Sequence, residues 1–127
     1  MFVAPTTRVI LGSPSSTAGT DASAITAVTT GASVPQDFTA IDQACFYLEG
    51  VGTITGGTIL IEEASRPNYS GTWSVVQTIA ASSLSGGAQL GNRIPYGAYG
   101  YVRVRISSAI TGSASQGVIV TLQTRGT

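Results

Sequence analysis

Tyr-Gly-Tyr-Val-Arg-Val-Arg-Ile-Ser, residues 99–107, is the stretch that decides the fold. Val102, Val104 and Ile106 alternate with polar or aromatic residues, which is typical of an antiparallel strand that buries one face. After a turn that contains Ile-Thr-Gly, residues 117–123 repeat this alternation. The sequence therefore predicts that these two runs form a β-hairpin with one half-buried face.

A second pair of runs has the same layout. Residues 44–52 are rich in β-forming residues, an Ile-Thr-Gly-Gly turn follows, and residues 58–63 form another such run with Ile59 and Ile61 on one face. We expect this pair to be a hairpin as well. Further short strands are predicted at 6–11, 72–79 and 93–97, with a surface loop over 80–91. Short strands at this spacing, without a long helix, predict an all-β, antiparallel β-sandwich or jelly-roll-like fold.

The N-terminal third has a different character from the rest. Residues 12–21 are rich in Gly, Pro, Ser and Thr, residues 24–30 form only a weak strand candidate, and residues 33–43 are ambiguous. We expect residues 1–42 to be an extended N-terminal arm with the first strands, packed on its own subunit or swapped between subunits. Residues 43–127 form the predicted sandwich core, and 127 residues suit one domain overall.

The composition excludes several classes of function. Charged residues make up 9% of the chain and the net charge is zero, so nothing favours nucleic acid or an anionic membrane as a partner. The chain has no His and no Lys, which excludes Ser-His-Asp and Cys-His catalysis and most Schiff-base chemistry, while rarer serine mechanisms stay open. Cys45 is the single cysteine, so no intrachain disulfide can form and it is expected to be a small buried residue. No apolar run reaches membrane-spanning length, and the N-terminus lacks a secretory pattern, so we expect synthesis in a cytoplasm.

No pattern of acidic residues predicts catalysis or a metal. Zinc lacks ligands, and Asp37 and Asp42 do not form a calcium-loop pattern. Glu49 and Glu62, on the two strands of the predicted hairpin, could approach each other as the carboxylates of a glycosidase do. We favour instead that Glu62 or Glu63 either forms an ion pair with an arginine or ends a strand in solvent. The prediction is therefore a non-enzyme without catalytic, metal or cofactor-binding residues.

The remaining candidates are interface residues. Arg103 and Arg105 form a basic stripe that could bind phosphate, although pairing with a Glu of a neighbouring strand or subunit is favoured. A sugar-stacking platform could be formed by Tyr69, Trp73, Tyr96, Tyr99 and Tyr101. We favour the interpretation that Trp73 packs in the core and that the tyrosines close loops. The candidate interface set is Arg8, Tyr69, Tyr96, Tyr99, Arg103 and Arg105.

The order of motifs over residues 43–123 resembles small β-sandwich modules of tailed-bacteriophage virion proteins. The chain reads Gly-Gly-Thr-Ile-Leu-Ile-Glu-Glu, then Gly-Thr-Trp-Ser-Val-Val, then Gly-Ala-Tyr-Gly-Tyr-Val-Arg-Val-Arg-Ile, an Ile-Thr-Gly turn and Val-Ile-Val-Thr-Leu. Those modules share a rhythm of Thr-x-x-x-Glu, Thr-Trp, Tyr-x-x-Val-Arg-Val, Gly and Val. This chain departs from them in the small-residue loop at 82–91 and in residues 1–42, which match nothing in the pattern.

The resemblance implies a virion structural protein without catalytic residues. The expected function is that of a capsid decoration (cement) protein, a homo-oligomer that binds the major capsid protein and is located in the virion after assembly in the host cytoplasm. An arm that adds a strand to a neighbour's sheet would suit such an assembly. Two alternatives stay open. One is a tail or baseplate module that binds host-surface glycan, and the other is a free carbohydrate-binding module or small enzyme.

Overall fold

The structure is a computed structural model that describes residues 3–12, 27–38, 43–95, 100–113 and 115–126. Most of these residues lie in β-strands, and the one helical element in the described ranges is a 3₁₀ turn at Ala81–Leu84. The strands are β1 (Val3–Leu11), β2 (Gly31–Ala32), β3 (Gln36–Asp37), β4 (Gln43–Val51), β5 (Ile54–Ala64), β6 (Ser74–Ala80), β7 (Gln89–Pro95), β8 (Tyr101–Gly112) and β9 (Gly117–Gly126).

The strands form two antiparallel sheets that pack face to face. The first sheet has the order β1-β9-β4-β7, and the second has the order β2-β8-β5-β6, with β3 also paired to β8. The alternating apolar residues of both sheets point into the space between them. The predicted all-β antiparallel sandwich is therefore confirmed. Its fully buried large side chains are Ile10, Phe46, Leu48, Ile59, Ile61, Leu84, Val102, Val104, Val118, Val120 and Leu122.

The two predicted hairpins are wrong, because each turn carries the chain from one sheet to the other. β4 lies between β9 and β7 in the first sheet, whereas β5 lies between β8 and β6 in the second. In the same way β8 belongs to the second sheet and β9 to the first. Both pairs are β-arches, and they pack as a unit because β4 pairs with β9 and β5 pairs with β8. The predicted inward rows are correct, but they face each other across the sandwich.

Two glycines allow the backbone to pack closely at the first arch. Gly52 has φ of 71°, a left-handed conformation that glycine adopts without strain. Gly50 lies against the carbonyl oxygen of Leu84, which occupies the space that a Cβ would need. The two corners also bond to each other, since the backbone N–H of Ser113 donates to the carbonyl of Thr53 at 3.0 Å. These local contacts hold the two arches side by side.

The described parts of the N-terminal segment join the sandwich of their own chain. β1 pairs with β9, and β2 and β3 both pair with β8. Between β2 and β3 the buried Ser33 continues the pairing with β8. Its N–H donates to the carbonyl of Val104, and its side-chain Oγ accepts from the N–H of Val104. Phe38 then stacks on Phe46, with ring centroids 6.0 Å apart. Exchange of the arm between subunits stays a prediction.

The segment over 80–91 differs from the predicted surface loop. Ala81 and Leu84 of the 3₁₀ turn are buried in the core, and β7 already begins at Gln89. The sequence pattern did not indicate that Ala81 and Leu84 are buried, because Ser and Gly residues surround them. β7 forms an edge of the first sheet and ends at Pro95, as predicted for a proline in a strand. In the described ranges, no helix has the length and apolar character needed to span a membrane.

Candidate functional site

The largest grouping of charged side chains in the described ranges lies on the outer face of the second sheet. Glu62 of β5 is directly opposite Arg103 of β8 in the antiparallel ladder, and Arg105 is two residues further along the same face. Arg103 donates from Nε to Glu62 Oε1 at 3.0 Å. Arg105 donates from Nε to Oε1 and from an Nη to Oε2, both at 3.0 Å. One carboxylate thus holds two arginines, and its side chain is 3% exposed.

Opposing effects set the ionisation of this carboxyl group. Burial acts to raise the pKa of Glu62, but the hydrogen bonds from Arg105 and Arg103 and their positive charges outweigh it, so the pKa lies below its usual range. The hydrogen bond to Glu62 likewise raises the pKa of Arg105. Glu62 is therefore ionised at neutral pH and acts as an acceptor for both guanidinium groups. It has no proton to donate in general acid chemistry.

An aromatic residue covers the other side of Arg103. The Cζ of Arg103 lies 4.2 Å from the centroid of the Trp73 ring, a cation–π distance. Trp73 is 3% exposed, and its Nε1 donates to the backbone carbonyl of Tyr69 at 3.0 Å. The Cζ of Arg66 in turn lies 5.3 Å from the centroid of the Tyr69 ring. These contacts fix loop 65–73 onto the sheet.

Trp73 corrects one sequence-based expectation. It is buried as predicted, yet it lies outside the core between the sheets, because it packs on the outward-facing Arg103. The Glu62 cluster consists of Glu62, Arg103, Arg105, Trp73 and Tyr69. The prediction that these arginines pair with a Glu of a neighbouring strand is confirmed. The interpretation of Glu62 as an ion-pair partner is confirmed as well.

A depression of about 260 Å³ opens beside loop 65–73. Its lining includes one carboxylate, several hydroxyl groups and one aromatic ring. The lining is therefore polar, and the ring is its single surface for stacking. Such a lining can form hydrogen bonds to a hydroxylated ligand and can pack against an apolar ring face. The lining residues are Glu63, Ala64, Ser65, Tyr69, Thr72 and Ser74.

The structure brings together only part of the predicted interface set. Tyr69 reaches Arg103 through Trp73, and Arg105 shares Glu62 with Arg103, so these three lie in one region. Arg8 belongs to β1 in the first sheet, and its side chain lies outside the described part of the structure. Tyr96 and Tyr99 also lie outside the described residues. The role of the predicted set as an interface stays a prediction.

The proposed carboxylate pair of Glu49 and Glu62 is wrong. Glu49 is exposed on β4 in the first sheet, whereas Glu62 is on the outer face of the second. Packed sheets are about 10 Å apart, and these two side chains point away from each other. The approach of these two carboxylates was possible only if β4 and β5 formed a hairpin. The separation removes the one arrangement in the sequence that suggested glycosidase chemistry.

Cys45 also differs from its expected environment. It is half-buried on the outward-facing side of β4, where it is the register partner of Gln123. Its neighbours Ala44 and Phe46 point into the core instead. Alternation along β4 could have shown this, because Phe46 and Leu48 define the inward row. Among the described residues, no group of three or more His, Cys, Asp or Glu side chains is placed to hold a metal ion.

Some contributors to the cluster carried little signal in the sequence. Arg66 lies in a loop without periodicity, so its contact with Tyr69 could not be predicted. The position of Trp73 depends on how loop 65–73 folds over β8, which strand patterning does not encode. No family model, no curated protein and no solved structure matches this chain.

Proposed function

We propose that this chain is a non-enzymatic structural protein of a tailed-bacteriophage virion, a capsid decoration protein that binds and stabilises the lattice of the major capsid protein. In this role it acts as a homo-oligomer on the particle surface. Binding at subunit junctions lowers the free energy of the assembled state only, and this stabilises the capsid by mass action.

One observation carries the proposal. The motif rhythm that resembles virion modules contains a Glu, a Trp and an Arg that are far apart in the sequence. In this chain those positions are Glu62, Trp73 and Arg103, and the three side chains meet in the Glu62 cluster. The rhythm therefore has a physical basis, because it encodes the contacts that fix a loop to a sheet. This convergence supports a shared module more strongly than strand chemistry alone would.

The chemistry of the cluster also favours a structural role. The Glu62 carboxylate accepts hydrogen bonds from two arginines, and Trp73 covers the face of the Arg103 guanidinium. A charge-poor sandwich whose ionic groups are already paired suits repeated packing in a lattice. Its contacts would depend on backbone edges and small polar surfaces, since only 9% of the residues are charged.

Binding to capsids tests the proposal directly. Heads assembled by the same virus without this chain are mixed with increasing amounts of the purified protein and then sedimented. We expect saturable co-sedimentation that unlabelled protein competes away. Trp73→Ala, which disturbs loop 65–73 at the Glu62 cluster, is tested beside the wild type, and we expect it to bind more weakly. No saturable binding by folded wild-type protein would overturn the proposal, and binding to isolated tails would move the protein to that location.

A second candidate function has its own supporting observation. The depression beside loop 65–73 is lined by Tyr69, by Glu63 and by several residues with hydroxyl groups. This lining favours the alternative of a tail or baseplate module that binds host-surface glycan. The test is binding to host-cell polysaccharide by the wild type, Glu63→Gln and the matched control Glu49→Gln. The alternative predicts that only Glu63→Gln loses affinity, and equal weak binding by all three would contradict it.

A further inference from the structure

The four sheet edges of the sandwich differ in how they are protected against pairing with another chain. An open edge presents unpaired backbone N–H and C=O groups, which attract a further strand unless something blocks it. Proteins block such edges with short strands, charged residues, prolines or bulges.

Three of the described edges carry clear blocking features. β1 contains Pro5 and Arg8 and has two register irregularities against β9. β7 contains Arg93 and ends at Pro95. The edge formed by β2 and β3 consists of two strands of only two residues each. β7 is regular in its pairing with β4, so its protection comes from Arg93 and Pro95, whereas the other two edges are irregular or short.

β6 is the least protected edge, because a single bulge is its one blocking feature. Its seven residues, Ser-Val-Val-Gln-Thr-Ile-Ala, include no charge and no proline, and no described strand pairs with its outer side. Val75 is 53% exposed and Val76 is 40% exposed, two of the few large apolar side chains that face solvent in the described ranges. β-Branched residues of this kind favour extended pairing.

β6 also contains one irregularity, and it leaves most of the edge intact. Gln77 is opposite Ile61 and Val75 is opposite Glu62, so Val76 is an extra residue that forms a bulge. From Gln77 to Ala80 the strand pairs regularly with β5. The outer side of this regular part can accept another strand, while the bulge leaves Val75 and Val76 exposed beside it.

We propose that the outer edge of β6 pairs with β6 of a second copy of this chain. An identical strand meets no like charge, because β6 has none. Antiparallel pairing about a two-fold axis lets both copies use the same surface, and every strand pairing described in this chain is antiparallel. The two second sheets then form one continuous sheet across the dimer.

This inference deepens the proposed function, on which it rests for the expected homo-oligomer, by naming the surface of self-association. One strand pair is smaller than a standard interface of about 800 Å² per partner. We therefore expect dissociation in the micromolar range or weaker in solution. On a particle, a fixed spacing of copies would strengthen the same contact through effective concentration.

The experiment compares the wild type, Val76→Lys and Val34→Lys by analytical ultracentrifugation from micromolar to millimolar concentration. Val34 is 60% exposed and lies between β2 and β3 at the opposite edge of the second sheet, so Val34→Lys adds the same charge at a matched exposed site. We expect the wild type and Val34→Lys to form dimers and Val76→Lys to remain monomeric over the whole range. Thermal unfolding of both variants checks that they stay folded.

Amide chemical shifts of the wild type, followed over the same concentrations, locate the contact. We expect concentration-dependent shifts in residues 74–80. A wild type that stays monomeric at millimolar concentration would overturn the inference, as would dimers whose shifts fall on β1 or β7. Failure of self-association with intact capsid binding would reject this surface alone, whereas dimerisation without capsid binding would reject the decoration function and keep the surface.

Discussion

Arg103 donates from Nε to Glu62 Oε1 at 3.0 Å, directly across the ladder between β8 and β5. The same carboxylate accepts two hydrogen bonds from Arg105, and Trp73 covers the guanidinium of Arg103. This arrangement lies on the outer face of the sheet, where a solvent-exposed ion pair would contribute little. It differs from such a pair because Glu62 is buried beneath its partners.

Replacing the carboxylate tests how much the Glu62 cluster stabilises the fold. Glu62→Gln keeps the size of the side chain but leaves two guanidinium groups without their ionic partner. We expect a loss of about 1–3 kcal/mol in the free energy of unfolding, measured by urea titration. Glu49→Gln is the control, because Glu49 is exposed on the first sheet, and it should change stability by less than about 0.5 kcal/mol. Equal effects of both would contradict a special role for Glu62.

The pH dependence of stability follows from the lowered pKa of Glu62. Because its pKa is lower in the folded state than in the unfolded chain, its contribution is complete above about pH 4.3, the ordinary value of a glutamate. That contribution is lost as the pH falls through the folded-state pKa. We therefore expect the difference in unfolding free energy between wild type and Glu62→Gln to shrink below about pH 4.3. A difference that stays constant down to full protonation would contradict the ionic account.

Two variants of Trp73 separate the contribution of packing to stability from that of hydrogen bonding. Trp73→Phe keeps an aromatic ring near Arg103 but removes the bond to the carbonyl of Tyr69, so we expect a loss of about 1 kcal/mol. Trp73→Ala removes both and should cost about 3 kcal/mol. Chymotryptic cleavage after Tyr69 reports on loop 65–73 independently of global stability. Cleavage should accelerate strongly in Trp73→Ala and only slightly in Trp73→Phe, and unchanged cleavage in both would show that Trp73 does not hold the loop.

The first arch depends on the absence of a side chain at Gly50. A Cβ there would coincide with the carbonyl oxygen of Leu84, which is backbone and cannot rotate away. We expect Gly50→Ala to destabilise the protein by about 2 kcal/mol or more in thermal unfolding. Gly91→Ala on β7 is the control, because its Cβ would lie 3.4 Å from the Tyr47 ring, close to an ordinary contact. Similar melting temperatures for the two variants would contradict the arch geometry.

The sequence predicted the faces of the strands better than their partners. Val102 and Val104 alternate with Arg103 and Arg105, and this local period is enough to assign inside and outside. Whether β8 continues into a hairpin or crosses to the other sheet depends on distant contacts at the corner, such as that between Thr53 and Ser113. A turn with Ile-Thr-Gly is compatible with both. The hairpins were therefore predicted where arches exist.

The candidate site could likewise be predicted only in part. Pairing of Arg103 with a Glu of a neighbouring strand could be expected from charge and strand pattern alone. The choice of Glu62 required the register between β5 and β8, which the sequence does not specify. The contact of Trp73 with Arg103 required the path of loop 65–73. Long-range geometry, more than local propensity, accounts for what sequence reasoning missed.

The thermal rupture of capsids tests the central claim most directly. Heads assembled without this chain are heated with and without saturating protein, and release of their contents is followed by dye fluorescence. A ligand that binds only the assembled lattice at 100 times its Kd stabilises it by about 2.7 kcal/mol per site. The account predicts a rupture temperature that rises with protein concentration and then reaches a plateau. An unchanged rupture temperature at saturating occupancy would contradict it.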